Sequence, residues 1–131
     1  MPVIEGAQNV REIDVIAVHL DRDRHWGGWD EVPGDIIGTW DDERVNEVLG
    51  LVATLPESER MRCFLPAYGI RLRRGRTVLA EVAFCFQCHN ALLLSPAVAD
   101  TEMFTFDPDS KPAQELLRRF QALKPPTGAG A

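Results

Sequence analysis

The sequence predicts an α+β domain: a single antiparallel sheet of about four to six strands carrying two principal helices, in the order ββαβββα. Three observations predict it. Two segments, around residues 45–55 and 113–123, repeat apolar side chains at helical spacing. Residues 62–94 instead read as a hairpin, two stretches whose apolar positions can face each other across an Arg-Arg-Gly turn, with a further short strand after it. A further β-branched run at 13–20 precedes the first helix and is almost wholly apolar after Asp14, which suits a strand covered on both faces.

Each element has its own justification. After the strand at 13–20 comes a polar stretch, 21–34, rich in Gly, Asp and Arg, then a short strand at 35–40. Helix one starts at Asp41, whose carboxylate can cap open amides while Asp42 and Glu43 suit the positive end of the dipole. Val45, Val48, Leu49, Val52 and Leu55 form its apolar face, and Pro56 ends it. Strands at 62–72 and 76–88 are joined through Arg73-Arg74-Gly75, and a short strand follows at 91–94. Helix two runs from a Ser110 cap to Leu123, with Pro112 in the first turn, where its missing donor costs nothing. One domain spans 1–124, and the Pro- and Gly-rich residues 125–131 read as a disordered tail.

Composition bounds the function classes. Apolar residues make up 45% and charged residues 26% of 131, and the formal net charge is −6. That charge argues against nucleic-acid binding, which needs a basic surface, and leaves a protein partner, preferably a basic one. No apolar run approaches the roughly 20 residues of a membrane span, and no secretory signal is visible, so a cytoplasmic setting is expected. Oligomeric state is not encoded in any motif.

The cysteines carry the sharpest signal. A three-residue loop ending in Gly75 pairs Leu72 with Arg76, Ile70 with Val78, Tyr68 with Ala80 and Phe64 with Phe84, so apolar meets apolar. In this register Cys63 stands directly opposite Cys85, with Cβ atoms about 5 Å apart. Pro66 is the weak point, because it removes a ladder donor. Cys85, Cys88 and His89 match the CxxCH pattern of haem attachment, but inside a strand and without export that context is wrong. Cys63, Cys85, Cys88 and His89 supply a Cys₃His set suited to tetrahedral zinc, the one cofactor the residues suggest. A redox pair, a Cys63–Cys85 disulfide and plain core packing of three small thiols remain the other readings.

The segment Arg62-Cys63-Phe64-Leu65-Pro66-Ala67-Tyr68-Gly69-Ile70-Arg71, followed by Phe84-Cys85-Phe86-Gln87-Cys88, resembles small uncharacterised bacterial proteins. These carry a Cys-Phe-x-Pro-x-His-Gly-Ile element and a later Cys-Phe-x-Cys element. The likeness covers roughly 35–123 and implies an architecture, with no established activity. Tyr68 stands where that pattern often has His.

The polar stretch holds the other candidate site. Trp26 and Trp29, with Arg24 and His25 beside them, combine apolar anchors with directional donors, the composition of a partner-binding surface. At least one indole is expected to stay exposed or line a shallow groove. Asp21 and Asp23 lack the further acidic ligands of a calcium loop. Arg71, Arg73, Arg74 and Arg76 are expected as a solvated hairpin tip. No Ser-His-Asp set or phosphate-binding glycine loop is present. The sequence therefore favours a small non-catalytic interaction protein, inhibitor- or immunity-like, of a bacterial system. The alternative is a zinc- or thiol-dependent protein using the hairpin cysteines.

Overall fold

The computed structural model describes residues 4–20, 25–59, 61–96 and 100–124. Arg24 and the tail at 125–131 lie outside the described residues. Among the described residues, six strands and two α-helices follow in the order β1 (Glu12–Val18), β2 (Gly34–Asp41), α1 (Glu43–Ala53), β3 (Tyr68–Arg74), β4 (Thr77–Cys85), β5 (Asn90–Ser95), β6 (Asp100–Thr105) and α2 (Lys111–Ala122). The strands form one open sheet in the order β2-β1-β3-β4-β5-β6, antiparallel at every step. No helix among the described residues is long and apolar enough to cross a membrane.

The α+β class and the two helices are those the periodicity predicts. β6 is an addition: its sequence, Asp-Thr-Glu-Met-Phe-Thr, is too polar to announce a strand. It forms because the open edge of β5 offers ladder partners, Leu92 to Met103 and Leu93 to Glu102. The capping residues also differ in detail. Asp41 is absorbed into β2, and Asp42, at φ 52, takes the cap position without a side-chain cap bond. Ser110 does cap α2, but its hydroxyl donates to the Asp107 carbonyl instead of receiving from the helix.

Both helices cover one face of the sheet. Val45, Val48 and Val52 from α1, with Ala113, Leu116 and Phe120 from α2, pack on Ile13, Val15, Tyr68, Ile70, Leu72, Val82 and Phe84. Phe120 is the centrepiece, stacked on Tyr68 at 5.0 Å and on Trp40 at 5.7 Å between ring centroids. Burying each such side chain contributes about 1.5–3 kcal/mol.

A second, smaller core lies on the opposite face. Ile16, Ala83, Leu92 and Leu94 are roofed by Trp29 and Val32 of the loop between β1 and β2. This explains why β1 is apolar on both sides. The loop re-enters the sheet at Gly34, where φ is +152 and a Cβ would stand 2.0 Å from the Ala17 carbonyl oxygen, so only glycine fits.

The central hairpin has a different register from the expected one. Its turn is two residues, Gly75-Arg76, with Gly75 at φ 59. A bulge follows between Leu72 and Arg73, after which Ile70 faces Val82 and Tyr68 faces Phe84. The partner of Ile70 has thus moved from Val78 to Val82. An even displacement keeps every side chain on its predicted face while changing whom it meets. Residues 62–67 are not strand, as the missing donor of Pro66 requires.

Candidate functional site

The cysteine cluster is built at the end of the sheet where β4 turns into β5. Cys85 is the last residue of β4, and alternation from the helix-facing Phe84 turns it to the loop-covered face, where it is buried. The chain then turns tightly through 86–89, ending on His89 at φ 58, before β5 begins. That turn swings Cys88 back over Cys85, and the Cys88 N–H donates to Cys85 Sγ at 3.2 Å. On the other side the segment before β3 runs past, and the Leu65 N–H donates to the same sulfur at 3.4 Å.

Cys63 and Cys88 are joined by a disulfide with Cα atoms 5.6 Å apart, leaving Cys85 as a buried thiol. The expected Cys63–Cys85 pairing is therefore corrected: the register shift and the end of the ladder at Tyr68 remove it, and the turn supplies Cys88 instead. All three cysteines still meet. His89 leaves the cluster, with Nδ1 3.4 Å from the Ser58 hydroxyl. With Cys63 and Cys88 bonded to each other, their sulfurs are not thiolate ligands in this structure. Among the described residues, no three His, Cys, Asp or Glu side chains converge where a metal ion could sit.

A groove of about 750 Å³ opens beside the disulfide. Trp26, Met61, Phe64 and Phe104 give it apolar walls, and Cys63 and Asn90 line it too. The Asn90 side-chain amide donates to the Cys63 carbonyl at 2.8 Å. Its Oδ1 is buried and has no donor among the described residues.

The aromatic loop divides its two indoles between different tasks. Trp29 is only 7% exposed and belongs to the second core, which it helps to roof. Trp26 is half-buried and lines the groove. Phe64 links the pair, 6.2 Å from each indole. His25 is exposed and structural, its Nδ1 accepting from the Gly27 N–H at 3.0 Å while its ring lies against Trp26.

Charges inside the sheet hold the lid side together. Glu81 accepts from the Val32 N–H at 2.7 Å and from Arg71 Nε at 3.1 Å. Burial pushes the Glu81 carboxyl above its ordinary range, and the Val32 and Arg71 bonds offset only part of that rise. Asp14 takes Arg73 Nε at 2.7 Å and Nη2 at 2.9 Å, with the Thr39 hydroxyl at 2.9 Å. Burial opposes ionisation of Asp14 as well, but the Arg73 and Thr39 bonds together hold its carboxyl below the ordinary value. Arg71 and Arg73 are thus not a solvated tip, whereas Arg74 and Arg76 are exposed.

Sequence reasoning did not anticipate the partners of Asp14 and Glu81, although a lone acid inside an apolar strand demands one. Met61 in the groove lining was not anticipated either, since nothing in the local pattern marks it. Comparison with protein-family models gives no match for this chain, and comparisons with curated proteins and with solved structures give none either.

Proposed function

We propose that this protein is a small non-catalytic interaction protein, an inhibitor- or immunity-like accessory of a bacterial system, that receives an exposed segment of a partner protein in the groove beside Trp26. One observation carries the reading. Met61, 42% exposed, lines the groove, and Leu65, 58% exposed, follows on the same segment two residues past Cys63. Exposed large apolar side chains grouped at a concave site favour a partner contact over bare solvent. The net charge of −6 favours a partner segment that is basic around an apolar tip. Asn90 Oδ1 adds a buried acceptor beside that surface.

The experiment is site-specific photocrosslinking in the bacterial cells that make the protein. A crosslinker at position 61 is expected to give one discrete protein adduct that Trp26→Ala abolishes. A crosslinker at the exposed Asn46 of α1 is expected to give none. Equal adducts at both positions, or none at 61, would discard the reading. The thiol half of the alternative function is favoured by a specific observation of its own, the disulfide with a third sulfur beside it.

A further inference from the structure

We propose that the Cys63–Cys88 disulfide is a thiol-exchange site, opened from the groove at Cys63. The two sulfurs differ in access. Cys63 is exposed and lines the groove, whereas Cys88 is 1% exposed inside the turn. A thiolate entering the groove therefore meets Cys63 Sγ first. Its sulfur forms a bond to Cys63 Sγ, the Cys63–Cys88 bond breaks, and the electron pair leaves on Cys88 Sγ, which takes a proton from solvent. The products are a mixed disulfide at Cys63 and a thiol at Cys88. The reverse attack, Cys88 thiolate on Cys63 Sγ, restores the bond and releases the incoming thiol. No oxidant is consumed in either direction.

Reversibility requires that the two cysteines stay together once the bond is open, and three groups, Cys85, Asn90 and Phe64, keep them there by non-covalent contacts. Cys85 Sγ accepts from both chain segments, through the Leu65 and Cys88 N–H groups. The Asn90 amide holds the Cys63 carbonyl. Phe64 stays wedged between the two indoles. A disulfide that merely stapled two otherwise unattached segments would lack this second set of ties. Cys85 is here a positioning residue, not the attacking thiol.

The proposal does not rest on a protein partner, because the shared chemistry is a thiolate, whether of a small molecule or of a cysteine in a peptide. The test uses the oxidised full-length protein at pH 8, with glutathione in one arm and a basic cysteine-containing peptide in the other. Each is quenched with N-ethylmaleimide and mapped by mass spectrometry. The expected result is the added thiol on Cys63, with Cys88 and Cys85 as thiols that maleimide labels once urea unfolds the quenched protein. A peptide yield at least tenfold above glutathione identifies a protein source, and equal yields identify a small thiol; both support exchange at Cys63. The added thiol on Cys88 or Cys85 overturns the proposal. So does a disulfide left intact in the folded protein under conditions that open it in urea. Circular dichroism gives an independent arm: the reduced protein should keep a cooperative thermal transition, and its loss would show a structural staple instead.

Discussion

Val32 donates its backbone N–H to Glu81 Oε1 at 2.7 Å, fastening the loop over the second core to a strand 49 residues further along the chain. The same carboxylate holds Arg71, so one side chain anchors both the lid and a neighbouring strand. Glu81→Ala is expected to cost about 3 kcal/mol, because it strands a half-buried guanidinium and an amide together. Glu81→Gln, which keeps an oxygen for Val32, is expected to cost less. Urea denaturation measures both, and equal losses would refute the role given to the Val32 bond.

The pH dependence of that carboxyl has a definite sign. Its folded value is raised, so the folded state holds the proton more tightly than the unfolded chain does. Its contribution is complete below the ordinary glutamate range and is lost as pH rises through the folded value. The Gln variant is expected to lack this loss.

Asp14 behaves in the opposite sense. Its folded value is lowered, so its contribution is present at neutral pH and is lost as pH falls below about 4. Asp14→Asn is expected to remove about 2 kcal/mol at pH 7, since it weakens bonds to a charged partner. It should also flatten the acid limb of the stability curve. Denaturation midpoints measured from pH 7 down to pH 2 compare the two proteins directly.

The two tryptophans should separate cleanly on truncation. Trp29→Ala opens a cavity in the second core and is expected to cost about 3–5 kcal/mol. Trp26→Ala is expected to stay within about 1 kcal/mol of the parent, its effect falling on partner capture. Thermal denaturation of the pair suffices; similar losses would place Trp26 in the core.

Replacing both Cys63 and Cys88 by serine releases a loop of 25 residues. Chain entropy puts the expected loss at about 3 kcal/mol, leaving a folded protein. Loss of the cooperative transition in the double variant would mean that the remaining contacts cannot hold the segment.

Tyr68 offers a change in the other direction. It is fully buried, its hydroxyl has no partner among the described residues, and burial raises its pKa. Tyr68→Phe removes an orphan polar group while preserving the stack on Phe120, and is expected to be neutral or stabilising by about 1 kcal/mol. A loss above that would reveal a bond to the hydroxyl.

What the sequence carried and what it withheld divide along physical lines. The helix faces through Val48 and Leu116 were legible because 3.6-residue periodicity survives any tertiary detail. The faces of β3 and β4 were legible for the same kind of reason. The register was not, because a period of two cannot detect a shift of four, and the Gly75-Arg76 turn together with the bulge between Leu72 and Arg73 decides it. Pairing of Cys63 with Cys88 depended on the turn at 86–89, which local pattern does not specify. Trp26 and Trp29 read alike in sequence, and only their burial in the fold shows that one lines the groove and the other faces inward.

The sheet separates two apolar clusters of unequal size, and this has a consequence for motion. The roof over the smaller cluster is loop, not ladder, held by buried Trp29 and the Val32–Glu81 bond, so its opening is a smaller event than unfolding of the helix-covered side. Hydrogen exchange should therefore occur in two tiers. Amides at 26–28, in the short turn before Trp29, will exchange through small local openings, and those of β3 and β4 only through global unfolding. A wall of the groove thus belongs to the fast tier and the scaffold beneath it to the slow one, so the groove at Trp26 can reshape without unfolding the sheet that carries it.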